Sequence, residues 1–170
     1  MVVVLSGKKI RIMLKMFRNT IYIRLRAQKI SLLHVESGEE LSLLPEVAIE
    51  TLANGKKAIL AVGADASSAA KTHPNVVAVN GFQHPRTLIA DFTAAEQTLK
   101  YCIRALMPKT LFAPSPIIIF HPLEKEEGGY TQVEMRAFEE LCTQVGARKT
   151  YIKVGAELSK EELQRISYEQ

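Results

Sequence analysis

The spacing of apolar positions changes along this chain, and each change predicts an element. From Gly7 to Asn19, Ile10, Met13, Leu14 and Phe17 recur at i, i+3, i+4 and i+7, one stripe of a helix. Arg11, Lys15 and Arg18 fall on another face of it. From Thr20 the spacing becomes alternating. Ile21, Ile23 and Leu25 face one way, while Tyr22, Arg24 and Arg26 face the other. Thr20 to Arg26 and Lys29 to Val35 therefore read as two strands joined tightly at Ala27-Gln28. Ser37-Gly38 marks the next turn. Glu46 to Thr51 and Ala58 to Val62 read as further short strands around Asn54-Gly55, and Ala64 to Lys71 as a short Ala-rich helix.

The second half of the chain is organised by helix starts. Thr93-Ala-Ala-Glu96, Thr131-Gln-Val-Glu134 and Ser159-Lys-Glu-Glu162 each have the form of a capping box, a hydroxyl and a carboxylate satisfying orphan backbone donors. The first helix should bury Ala95, Leu99, Cys102, Ile103 and Leu106 and stop at Pro108. The second should bury Phe138, Leu141, Cys142 and Val145 and stop at Gly146. Between them Pro116 to Phe120 is a continuous apolar run, the mark of a strand covered on both faces, and Thr150 to Val154 is a second candidate. The order is β-β-β, a small insert, then α-β-α-β and a last helix. Antiparallel strands followed by α/β crossovers predict an α/β fold: a ribonuclease H-like domain with one mixed five-stranded sheet covered by helices. The expected division is a basic amphipathic leader at 1–19 and a domain at 20–170.

Composition narrows the class. The chain has 170 residues, 47% hydrophobic and 24% charged, which suits one globular domain and excludes a disordered or collagen-like chain. No apolar run reaches the roughly 18 residues of a membrane-spanning helix. Cys102 and Cys142, on apolar helical positions, read as buried thiols in a reducing compartment. With no signal-peptide pattern at the start, a cytoplasmic location is expected. The net charge of +4 is uneven. Eight basic residues and no acidic one precede Glu36, and the remainder carries 14 basic and 18 acidic residues. The basic character is thus local to the leader and first hairpin.

A series of short segments then resembles one family in order and spacing. Pro45-Glu46-Val47-Ala48-Ile49, Ala61-Val62-Gly63-Ala64-Asp65-Ala66, Leu88-Ile89-Ala90-Asp91-Phe92, Pro114-Ser115-Pro116, Thr131-Gln132-Val133-Glu134 and Gly146-Ala147-Arg148 are similar to successive motifs of the MreB family, the bacterial actin-like rod-shape proteins. The resemblance runs from about Met13 to about Lys153 and covers the N-terminal half of that family's pattern. It implies an actin-like domain with a reduced insert near Leu52 to Phe82. For the complete family protein it implies ATP and Mg²⁺ bound between two halves, and membrane-attached filaments. Met13 matches the family's beginning better than Met1 does.

Departures from the pattern decide the expected function. The family's first phosphate loop, Asp-Leu-Gly-Thr, has Arg24-Leu25-Arg26-Ala27 as its counterpart here, with Arg for the metal-serving Asp and Arg for the phosphate-approaching Gly. Val154-Gly155-Ala156-Glu157-Leu158 stands where the family's Glu-Glu-Pro-Met-Ala-Ala-Ala is expected, and the second phosphate loop lies beyond the pattern matched. ATPase activity is therefore not expected, and no catalytic, cofactor or metal site is assigned. Two-metal nuclease chemistry is not expected either: there are only two Asp, Asp65 and Asp91, and Arg24 stands on the central strand. His34, His73, His84 and His121 show no ligand spacing, and His84-Pro85 and His121-Pro122 read as loops. Glu124, Glu126 and Glu127 read as a solvated loop.

Two candidate surfaces remain. Ile10, Arg11, Met13, Leu14, Lys15, Phe17 and Arg18 form a basic amphipathic stripe suited to an anionic membrane surface or a partner. Arg24 and Arg26 form an anion or partner face. The expected function is an MreB-like cytoskeletal interaction module without its own ATPase site, peripheral at the inner membrane face, with a protein partner or self-association. One alternative is an ATP-responsive actin-like subunit that pairs with another chain. The other is a nucleic-acid-binding domain of ribonuclease H-like fold, which the scarcity of interleaved aromatics disfavours.

Overall fold

The computed structural model describes residues 18–108, 113–124 and 128–168. The first hairpin pairs β1 (Thr20–Arg26) with β2 (Lys29–His34), with Arg26 opposite Lys29 and Ala27-Gln28 as the turn. β3 (Glu40–Leu43) adds to β2, antiparallel. The chain then leaves for a second, three-stranded antiparallel sheet of β4 (Glu46–Thr51), β5 (Lys57–Val62) and, after helix α1 (Ala64–Thr72), β6 (Val76–Asn80). It returns through α2 (Phe92–Leu106) to β7 (Ile117–Pro122), which pairs parallel with β1. α3 (Gln132–Gln144) leads to β8 (Lys149–Ile152), parallel to β7, and α4 (Lys160–Tyr168) follows. The main sheet is mixed and five-stranded, in the order β3-β2-β1-β7-β8. This is the expected α/β architecture.

Alternation in β1 sorts the two faces of that sheet. Ile21, Ile23 and Leu25 join Leu99, Cys102, Phe138, Leu141 and Cys142 in the main core under α2 and α3. Tyr22 faces the other side, where it and Ile119 pack with Leu163 of α4. β7 is buried at all six positions because it is central and covered on both faces. The smaller sheet carries α1 through short side chains, Ala48 and Ala61 against Ala66, Ala69 and Ala70, which let helix and sheet approach closely.

Four sequence expectations are corrected. The third strand of the main sheet is β3, not Glu46–Thr51, which is the central strand of the insert. The insert accordingly begins near Glu46 rather than Leu52. β3 is a four-residue edge strand whose Leu41 and Leu43 only partly bury, a pattern too short to stand out. β6 was also not anticipated. α2 is capped by Asp91, whose carboxylate accepts from Ala94 N at 2.8 Å, rather than by Thr93. Glu96, freed from the cap, pairs with Lys100 one turn on. Finally, His121 lies in β7 and is fully buried, not in a loop. The boxes at Thr131 with Glu134 and at Ser159 with Glu162 form as expected.

Candidate functional site

Ligands of open sheets with parallel strands gather beyond the carboxyl ends of those strands. Here that end collects the tip of β1 with Arg24 and Arg26, the exit of β7 through Leu123 and Glu124, and the segment after β8 that contains Gly155 and Glu157. The hairpin turn is held from both sides. Ala27 N donates to Glu124 Oε2 at 2.8 Å, and Asn80 Nδ2 donates to Ala27 O at 2.8 Å. Leu123 N donates to Leu25 O at 2.9 Å, extending the parallel pairing one step past Pro122. Arg26 Nη1 donates to Leu123 O at 3.3 Å.

Arg24 and Arg26 lie on the same face of β1, as the alternation predicts. The two side chains differ in environment. Arg24 is 29% exposed; its Nη1 meets Glu157 Oε2 at 3.2 Å and its guanidinium carbon sits 5.7 Å from the centre of the Tyr22 ring. Its Nε is buried without a hydrogen-bond partner. Arg26 is exposed. With Lys29, Glu40 and Glu157 these cations line a cleft of about 220 Å³, in which the Ser31 and Ser42 hydroxyls bond to each other at 2.8 Å. This end of the sheet therefore offers cations and hydroxyls to an anion. β1 itself carries no carboxylate; those of the cleft, Glu40 and Glu157, come from β3 and the segment after β8. Among the described residues, no group of three His, Cys, Asp or Glu is arranged to hold a metal ion.

Beneath the cleft a buried hydrogen-bonded pair fastens the segment after β8. His121 Nε2 lies 2.8 Å from Gly155 O, a group that can only accept, so Nε2 carries the proton. Nδ1 then accepts from the Tyr22 hydroxyl at 2.6 Å, and the hydroxyl oxygen in turn accepts from Leu158 N at 3.3 Å. Burial raises the Tyr22 phenol above its ordinary pKa, against the opposing pull of the Leu158 N–H. Sequence reasoning missed this pair. His121-Pro122 has the look of a turn, and only the apolar run before it hinted at a central strand.

A second polar cluster lies at the opposite end of β1. Glu36 accepts from Thr20 N at 2.8 Å and from Ser167 Oγ at 2.6 Å, and lies 3.5 Å from His34 Nε2. Ser37 N donates to His34 Nδ1 at 3.2 Å, which leaves the proton on Nε2 to donate to Asn19 Oδ1 at 3.2 Å. Arg18, grouped with the leader by its charge, donates from Nη1 to Ser167 O at 3.0 Å, a cation at the last turn of α4. Ile10, Arg11, Met13, Leu14, Lys15 and Phe17 lie outside the described residues. Nothing in the sequence pattern marked Glu36 as buried.

Comparison with known proteins places this geometry. The model of the MreB/Mbl protein family matches residues 20–158. The cell shape-determining protein MreB of Pasteurella multocida is 34% identical over 98 residues, covering 56% of this chain and 26% of that protein. MreB of Haemophilus influenzae matches to the same extent. The chain thus spans about a quarter of the length of the curated relatives it matches. Among solved structures, MreB5 of Spiroplasma citri bound to AMPPNP superposes with a TM-score of 0.62 at 21% identity, over 81% of this chain and 38% of that one. A non-polymerising MamK mutant bound to AMPPNP gives 0.63 at 10% identity, over 81% and 41%. The MamK double helical filament gives 0.59 at 11%, over the same shares. These likenesses establish the actin-like fold.

Proposed function

This chain belongs to the MreB/Mbl protein family, and on that premise we propose that it is a filament-associated interaction module of the cell-shape cytoskeleton that does not turn over ATP. The observation that carries the reading is the β1–β2 turn. Its Ala27 N–H is engaged by Glu124, and its flanks present Arg24 and Arg26. Phosphate-ester hydrolysis at such a turn requires a carboxylate for the metal-bound water and a backbone free to approach phosphate. β1 and its turn carry no carboxylate, and the Ala27 N–H is already bonded to Glu124. Phosphate release from Mg²⁺-ATP by the full chain is expected to equal the buffer rate; release that falls when Arg24 is replaced by Ala would overturn this.

One fold neighbour solved as a filament, the MamK double helical filament, supports a self-associating or filament-binding surface. The leader, with Ile10, Met13, Leu14 and Phe17 beside Arg11 and Lys15, is proposed as a contact with anionic membrane. The full chain should pellet with anionic vesicles in low salt, and a chain without residues 1–17, which keeps the Arg18 and Asn19 contacts, should not. Equal pelleting of both would remove the leader from the account. The second reading, an ATP-responsive subunit that pairs with another chain, draws on the three cations of the cleft. It predicts ATP-dependent pelleting with filaments, where the first reading predicts none.

A further inference from the structure

We propose that the cleft beside the β1–β2 hairpin receives an acidic segment of a protein partner, and that Glu157 occupies the partner carboxylate's place in the free chain. This rests on the reading of the protein as an interaction module and names the chemistry of the partner.

The cleft already selects carboxylates. Glu124 reaches the turn from 97 residues away and binds Ala27 N at 2.8 Å, and Glu157 reaches Arg24 from 133 residues away at 3.2 Å. Two separate segments of one chain thus bring an acidic side chain to this end of the hairpin, Glu124 to the turn beside the cleft and Glu157 to Arg24 within it. Their holds differ. Glu124 sits on a backbone N–H in a part-buried bond. Glu157 is 48% exposed and touches a single guanidinium nitrogen. A lone exposed ion pair is weak and readily exchanged.

Arg24 is also left incompletely satisfied. Guanidinium groups bind carboxylate best through two parallel bonds. Glu157 supplies one, and Arg24 Nε is buried with no partner. A carboxylate that displaces Glu157 and bridges both terminal nitrogens of Arg24 gains a second bond that Glu157 does not make. Stacking against Tyr22 holds Arg24 in position, so little side-chain freedom is lost on binding. Arg26 and Lys29, directly opposite each other in the hairpin, provide charges for a second acidic side chain. Glu40 remains in the cleft and the Ala27 N–H is taken. Both features disfavour a polyphosphate, with its concentrated charge and need for backbone donors, more than singly charged carboxylates spaced along a peptide.

The test is a fluorescence-anisotropy titration of a labelled hexaglutamate peptide with the full chain and its variants, each checked for fold by circular dichroism. Glu157→Gln is expected to bind three- to ten-fold more tightly than the unaltered chain. The double variant Arg24→Gln, Arg26→Gln is expected to lose at least ten-fold. Inorganic pyrophosphate should displace the peptide only at higher concentrations than unlabelled peptide does. The proposal is overturned if Glu157→Gln binds no more tightly, if the double variant binds as the unaltered chain does, or if pyrophosphate is the better competitor. Pelleting with filaments by the double variant at the unaltered level would also overturn the cleft as the docking point, while leaving the interaction-module reading intact.

Discussion

Gly81 sits where β6 hands the chain to α2. Its carbonyl accepts from Ala90 N at 2.8 Å and Asp91 N at 3.1 Å. A Cβ there would lie 2.3 Å from Ala95 N, against backbone that cannot swing aside. Gly81→Ala therefore forces the insert and α2 apart. A loss of about 1–3 kcal/mol is expected, read as a lower urea midpoint. Tyr22 is the second residue on which much depends. Tyr22→Phe removes the hydroxyl that bonds both Leu158 N and His121 Nδ1, so about 1–2 kcal/mol should be lost; Tyr101→Phe, at a half-exposed ring, should cost little. At this scale the sequence was partly legible. Alternation placed Tyr22, Arg24 and Arg26 on one face of β1, because a strand's period of two leaves no choice. His121 and Glu36 were not legible, because what buries them comes from segments distant in sequence.

The helices show which local signals survive packing. Thr131 and Ser159 made their boxes, each with a Glu three residues on, but Thr93 did not. Asp91 stands two residues earlier, is pinned by Gly81, and caps first. Asp91→Ala and Thr131→Ala should each cost about 1 kcal/mol, and Thr93→Ala distinctly less, as measured by thermal unfolding. Gly146, at a φ of 94°, ends α3 as expected, since a left-handed residue is needed there. α2 and α3 also bury the two thiols, and burial pushes Cys102 and Cys142 from about 9 up to about 12. The folded chain holds these protons where the unfolded chain releases them. Stability should thus be unaffected below about pH 9 and fall as pH rises toward about 12, by up to about 1.4 kcal/mol per pH unit for each thiol. A Cys102→Ala, Cys142→Ala variant should show a shallower decline between pH 9 and 11. An equal decline would mean that other groups set the slope. Strand assignment was weaker than helix assignment, because β3 and β6 are short, β3 at the edge of the main sheet and β6 in the insert.

Across the whole molecule, the main sheet is closed on one face by α2 and α3 and on part of the other by α4. α4 is pinned at its end by Ser167 to Glu36 and by Arg18 to the Ser167 carbonyl. Among the described residues, the carboxyl end of the parallel strands opens onto a cleft lined by Arg24, Arg26 and Lys29. The fold class was legible from the order of elements and the MreB-like segments. The extent of the insert was not, since Glu46–Thr51 reads equally well as a strand of either sheet. The site was half legible: the Arg pair stood out as a departure from the family pattern, but the carboxylates that meet it come from loops whose positions only the fold determines. The most direct measurement of the central claim is co-sedimentation of the full chain with polymerised full-length MreB, in the presence and absence of ATP. The chain should pellet with the filaments to the same extent in both conditions. A chain that stays in the supernatant, or pellets only when ATP is present, would contradict that claim.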